Sequence, residues 1–269
     1  MDNLAKAKAK ILLDEYCIKN PAELNLIDIA AGENLIIEEA PLNGHLGRNI
    51  FSTDFGIIKI SSSVKEEGQK RFIIAHEMGH FFIQKNNVKG CSLIDMLGFK
   101  SNQSIERSSN DFASELLMPA EWINSFTKKE KPGIKLLKSA AEYFRVSISA
   151  AALRLAELGS YPMAVIMSTN EVVKWSNINK LFSFNWIPNG YKVNNNSFAS
   201  DIFKQFKEVK NNKDNCSDVE INCGLLDCNE VLADAWFWED RNYKKDYYMF
   251  EQNIPMPNYN SVLTILWEK

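Results

Sequence analysis

The sequence predicts an α+β fold in two parts, a first domain over residues 1–160 and a smaller α+β domain over residues 161–269. Three observations predict it. Apolar residues recur at helical spacing through most of the first 158 residues. Short isoleucine-rich runs, LIIEEAPL and GRNIFSTDFGIIKIS, interrupt those helices early and read as strands. After Gly159 the composition shifts towards aromatic residues, asparagines and short strand-like runs. At 269 residues, 45% hydrophobic and 24% charged, the chain has the balance of a globular protein that buries a sizeable core.

Residues 4–18 read as a helix, with Leu4, Ile11, Leu12 and Tyr16 as apolar positions among lysines. A second helix over NPAELNLIDIAAGEN takes Asn20 as its cap and Pro21 as its first helical residue. LIIEEAPL is a strand ending near Pro41, and two further strands flank a turn at Ser52–Gly56. SSVKEEGQKRFIIAHEMGHFFIQKN forms a long helix, capped by Ser62 or Ser63, with Glu66 and Glu67 at its positive end. A polar loop covers roughly residues 86–103. SIERSSNDFASELLMP is the next helix, capped by Ser104, and Pro119 ends it or opens PAEWINSF. Residues 134–158 form two short helices broken at RVSIS. YPMAVIMSTNEVVKWSN is a hairpin turning at Ser168–Glu171, and VLADAWFW and SVLTILW are strand-like.

Charge narrows the function classes. The chain carries 31 basic and 34 acidic side chains, a net charge of −3, without the basic excess of a general nucleic-acid binder. The first twenty residues lack the apolar run of a signal peptide, and Asp14 and Glu15 interrupt them. No stretch approaches the roughly 20 apolar residues that span a bilayer. Five scattered cysteines point to reduced thiols and a cytoplasmic home. Cys216, Cys223 and Cys228 cluster, but their spacing is wider than that of paired zinc ligands and no histidine is near, so they read as structural.

The chemistry concentrates in AHEMGH, residues 75–80, which holds two of only three histidines. On a helix each residue turns about 100°, so His76 and His80 project about 40° apart and one turn above each other. Both imidazoles can then reach one ion. Glu77, one step round the helix, can reach a water on that ion, which is the arrangement of a zinc hydrolase. Phe72, Ile73, Phe81 and Phe82 surround the motif and bury its helix. Two histidines and a glutamate are costly to bury there without partners, and a metal supplies one.

A catalytic zinc keeps three protein ligands and an open position. His45, the remaining histidine, precedes the motif in a loop, so acids of the downstream helix are the candidates: Glu106, Asp111 and Glu115. Glu106 is preferred because Asn110, one turn on, shares its face and can brace a ligand histidine from behind. Asp111 and Glu115 point about 100° and 180° away and read as solvated helix acids.

FIIAHEMGHFFI followed some thirty residues later by IERSSNDFASELLMP resembles the ImmA/IrrE family of zinc metallopeptidases. The family's glutamate, Phe-Ala and Leu-Leu-Met-Pro pattern maps onto Glu106, Phe112–Ala113 and Leu116–Pro119. Ser109 stands where the small residue before the asparagine is usual. The resemblance runs over about residues 5–158, SAAEYFRVSISAAALRLAELG included, and leaves the tail uncovered. It implies a zincin-like, thermolysin-like fold, with His76, His80 and Glu106 on Zn2+ and Glu77 as base. It also implies cleavage of a repressor-type transcriptional regulator, often encoded beside the peptidase on a phage or mobile element.

SAAEYFRVSISAAALRLAEL has the rhythm of a DNA-binding helix-turn-helix. Its second helix opens on alanines and leucines with Arg154 alone, so packing is the better reading and sequence-specific DNA binding is not favoured. His45 could contact a substrate oxyanion, although a loop histidine is more often structural. The strand GIIKI reads as an edge to which an extended peptide could add. The tail suits a sensor or a substrate-docking domain, and its tryptophans read as core rather than a ligand cage. The alternative to a peptidase is a metal-containing regulatory protein that binds a partner or DNA without proteolysis.

Overall fold

The computed structural model describes residues 2–52, 55–83, 89–91, 104–128, 131–211, 227–242 and 246–269. Helices and sheets are mixed, as an α+β fold requires. The chain divides into two compact units, Met1–Ile123 with Ala140–Ala151, and Asn124–Ser139 with Ala152–Lys269.

The first unit opens with α1 (Asp2–Glu15), a 3-10 turn (Pro21–Glu23) and α2 (Leu26–Gly32). The single second helix expected from the sequence is therefore two pieces. Asn20 accepts from Ala22 N and starts the turn; Asn25 accepts from Ile27 N and starts α2. Each asparagine caps its own segment because the backbone between them breaks at Leu24, which is extended.

Strands β1 (Leu35–Ala40), β2 (Gly47–Phe51) and β3 (Gly56–Ser61) follow, then α3 (Glu67–Ile83), the short β4 (Lys89–Cys91) and α4 (Ser104–Leu117). The sheet order is β1-β3-β2-β4. β1 runs parallel to β3, while β2 runs antiparallel to both β3 and β4. GIIKI thus lies inside the sheet, with both flanks paired, and is not the free edge the sequence suggested. The polar segment 86–103 was expected as loop alone, yet it contributes β4.

α3 starts several residues later than a Ser62 or Ser63 cap would place it. Ser61 Oγ accepts from Ser63 N, and Val64 N donates to Ser61 O, which holds a turn there. The Glu66 carbonyl takes the first helical bond, from Lys70 N at 3.0 Å. α3 packs along α4 and against β2 and β3. Its central stretch from Ile73 to Phe81 is buried throughout.

Then come α5 (Ala120–Thr127), α6 (Ile134–Phe144) and α7 (Ile148–Leu158). Leu136, Leu137, Ala140, Phe144, Ala151, Ala152, Leu155 and Ala156 are buried, and Arg154 is only 3% exposed and bonded to Glu157. An arginine buried in this way cannot read base edges, so these helices pack, as the composition suggested.

The second unit holds β5 (Met163–Thr169), β6 (Val172–Ile178), α8 (Phe198–Asn211), β7 (Asn229–Leu232), α9 (Asp234–Phe237), β8 (Tyr248–Met256) and β9 (Ser261–Glu268). Its sheet, β6-β5-β9-β8-β7, pairs antiparallel throughout. The β5–β6 turn has Asn170 and Glu171 both at positive φ, the signature of a tight hairpin whose twist matches its strands. VLADAWFW, expected as a strand, divides between β7 and α9. Trp236, Phe184, Phe203 and Phe237 are core, whereas Trp186 is 47% exposed. Cys17 and Cys228 are exposed free thiols, while Cys216 and Cys223 lie outside the described residues.

Candidate active site

AHEMGH occupies the middle of α3, and the helical turn sets His76 edge-on to His80 with ring centroids 4.8 Å apart. Their Nε2 atoms stand 3.1 Å apart. Glu106, in the first turn of α4, brings Oε2 to 3.4 Å from His76 Nε2 and 3.2 Å from His80 Nε2. All three residues are buried, and one ligand atom from each falls within 4.8 Å of the others. Donors about 2.0–2.1 Å from a tetrahedral ion stand about 3.3–3.4 Å from one another, so the three fit a metal.

The pairing of α3 with α4 makes this cluster. A Cβ on Gly79 would meet Ser109 Cα at 3.0 Å and Ser109 O at 3.1 Å, so the helices touch backbone to backbone at the motif. That contact gives a physical reason for a small residue at 109. Phe82 stacks on Phe112 at 5.5 Å and braces the same pair of helices beyond the site.

Asn110 Oδ1 lies 2.8 Å from His76 Nδ1. A proton on Nδ1 donated to that oxygen leaves the Nε2 lone pair facing the cluster, which is the tautomer a ligand needs. Burial pushes the Glu106 carboxyl up, but hydrogen bonds and charge from His76 and His80 outweigh it and hold the group well below the usual carboxylate range. Glu106 therefore stays ionised, as a ligand must.

Glu77 is fully buried on the adjoining face of α3. Its Oε2 accepts from the Asn49 side chain on β2, and Gly47 of the same strand lies against its Oε1. Neither residue stood out in the sequence. The only signal was a polar residue at an inward position of an otherwise apolar alternation, visible once the strand's register is known.

The other candidates fall elsewhere. His45 is exposed in the Leu42–His45 turn leading into β2 and is not among the clustered ligands. Asp111 is half-buried. Glu115, expected as a solvated acid, is 2% exposed and accepts from Ala120 N at 3.2 Å, which caps α5.

Two buried histidines and a glutamate on packed helices, with a second glutamate one step along, form a cluster that could hold a metal ion. Residues 31–156 match the model of the IrrE N-terminal-like domain, which supports the likeness to the ImmA/IrrE family read from the motifs. The metallopeptidase ImmA of Bacillus subtilis (strain 168) is 27% identical over 114 residues. That match spans 41% of this chain and 61% of the relative's length. A solved structure of a Mycobacterium tuberculosis transcriptional regulator superposes with a TM-score of 0.56 at 13% identity. It covers 99% of this chain and 76% of its own, and shows a shared fold. Among the described residues no helix is long and apolar enough to cross a membrane.

Proposed function

We propose that the protein is a zinc-dependent endopeptidase that cleaves a specific intracellular protein, a repressor-type transcriptional regulator. The observation that carries this is the convergence of His76, His80 and Glu106 donors within 4.8 Å, with Glu77 adjoining on the same helix. Those three residues would hold the metal. When bound, zinc supplies a Lewis acid that polarises the scissile carbonyl and acidifies a water. Glu77 takes the proton from the attacking water and passes it to the leaving amine. Asn110 keeps the His76 ring in its ligand orientation. Glu77 is fully buried, which keeps bulk water away from its carboxylate.

Residues 1–160 form the peptidase domain in this reading, and residues 161–269 a sensor or docking domain. The test is a comparison of wild type with Glu77→Gln, both zinc-loaded, incubated with repressor-type regulators from the source organism. New N-termini are then mapped by mass spectrometry. Glutamine keeps the shape of the side chain but cannot take a proton. The expected result is a single dominant cut with wild type and none with the variant. Equal biological effect of both proteins, without a cut, would instead make this a partner-binding regulator.

A further inference from the structure

One face of β2 is shaped to a single carboxylate. Strand alternation puts Gly47, Asn49 and Phe51 on the buried side, with Arg48 and Ile50 outside. Phe51 packs edge-on against Phe81 at 5.2 Å, the ordinary apolar filling of such a position. The neighbouring β3 does the same with Ile58 and Ile60. Gly47 and Asn49 break that rule together, and both do so at Glu77.

Asn49 is 1% exposed, and its side-chain amide donates to Glu77 Oε2. Its backbone is held on both sides, opposite Ile58 of β3 and Lys89 of β4. A Cβ at Gly47 would stand 2.5 Å from Glu77 Oε1, 3.2 Å from Glu77 Cδ and 2.8 Å from Ile73 Cγ2. The strand thus meets both carboxylate oxygens, one with a donor and the other by lacking a side chain. A buried amide is tolerated only where it is paired, and this one is paired to the carboxylate.

We propose that Asn49 is the positioning residue of Glu77 and that Gly47 leaves the space its carboxylate occupies. This rests on the reading of Glu77 as the general base. A glutamate has three side-chain torsions, and a base must sit within hydrogen-bond reach of the proton it takes. A donor fixed on a strand paired at both edges removes that freedom before substrate arrives.

The test uses Asn49→Leu and Asn49→Asp, which keep the side chain's approximate volume and remove its donor. The first readout does not depend on activity. In protein labelled with 15N-asparagine, one side-chain amide pair should be displaced downfield, absent in Asn49→Leu, and shifted in Glu77→Gln. The second readout is steady-state kinetics on the fastest-cleaved member of a peptide library selected with wild type. The expected result is a kcat lower by about 10- to 100-fold, as for a misplaced catalytic group, with KM within about twofold. Zinc content stays at the wild-type value, while Tm falls because the buried Glu77 carboxylate loses this donor.

An Asn49 amide resonance unmoved by Glu77→Gln overturns the proposal. So does an unchanged kcat, or a fall in kcat that merely follows loss of zinc. If wild type cleaves no peptide, the peptidase reading falls instead, and the amide resonance still decides whether β2 holds Glu77.

Discussion

At the scale of single residues, the site depends on polar groups that are buried and paired. His76, Glu77, His80 and Glu106 are all buried, and each relies on a neighbour for orientation or charge. Asn110 is the clearest case, since its Oδ1 lies 2.8 Å from His76 Nδ1, where an oxygen favours the tautomer protonated on Nδ1. Asn110→Leu should weaken zinc binding by about 10- to 100-fold, read by competition with a chromogenic chelator. Unchanged affinity would mean that the ring is held by packing alone. The motif residues were legible because a four-residue spacing fixes their geometry locally. Asn49 and Gly47 were not, because they reach Glu77 only through sheet pairing, across 28 positions of sequence for Asn49. Glu115 differs from the solvated acid its helical angle implies for a related reason: it caps the next helix, which the angle alone does not reveal.

At the scale of elements, the close approach of α3 and α4 decides whether His76, His80 and Glu106 can meet. Gly79 permits it, and the atoms its Cβ would meet first are the backbone of Ser109, which cannot rotate away. Gly79→Val should force the helices apart. Overpacking of this kind costs typically about 1–3 kcal/mol, and here zinc affinity should fall together with Tm. Ser109→Ala, which only shortens a buried side chain, should lose much less of either; equal losses in both variants would place the constraint elsewhere. The long periodic helices were readable from sequence, as was the β5–β6 hairpin, because their signals are local. The place of GIIKI in its sheet was not, since strand order depends on which distant segment supplies each neighbour. The start of α3 is not legible from its serines because Ser61 and Ser63 bond to each other in a turn before the helix.

At the scale of the molecule, each compact unit has its own buried polar anchor. In the second unit it is Glu251 on β8, which accepts from Ala199 N at 2.9 Å, Trp236 Nε1 at 2.9 Å and Asn253 Nδ2 at 2.8 Å. It ties α8 and α9 to the sheet. Burial pushes its carboxyl up, and these hydrogen bonds only partly offset that. The folded protein therefore holds a proton on Glu251 that the unfolded chain has already released above the ordinary value of 4.5. Stability should fall as pH rises through the window between 4.5 and the raised folded value. Glu251→Gln should flatten that slope in Tm measured against pH on the full chain, and parallel curves would refute it. The first unit's anchor is the cluster of His76, His80 and Glu106, whose convergence was largely legible from one motif and the Glu106 helix. The role of the tail was not, since no motif there carries chemistry. The most direct measurement is metal content by elemental mass spectrometry on wild type, Glu77→Gln, His76→Ala, His80→Ala and Glu106→Gln. One zinc per chain in wild type and Glu77→Gln, with loss in both histidine variants and weakening in Glu106→Gln, is the expected result. A wild type without metal, or histidine variants that keep it, would contradict the site and the peptidase built on it.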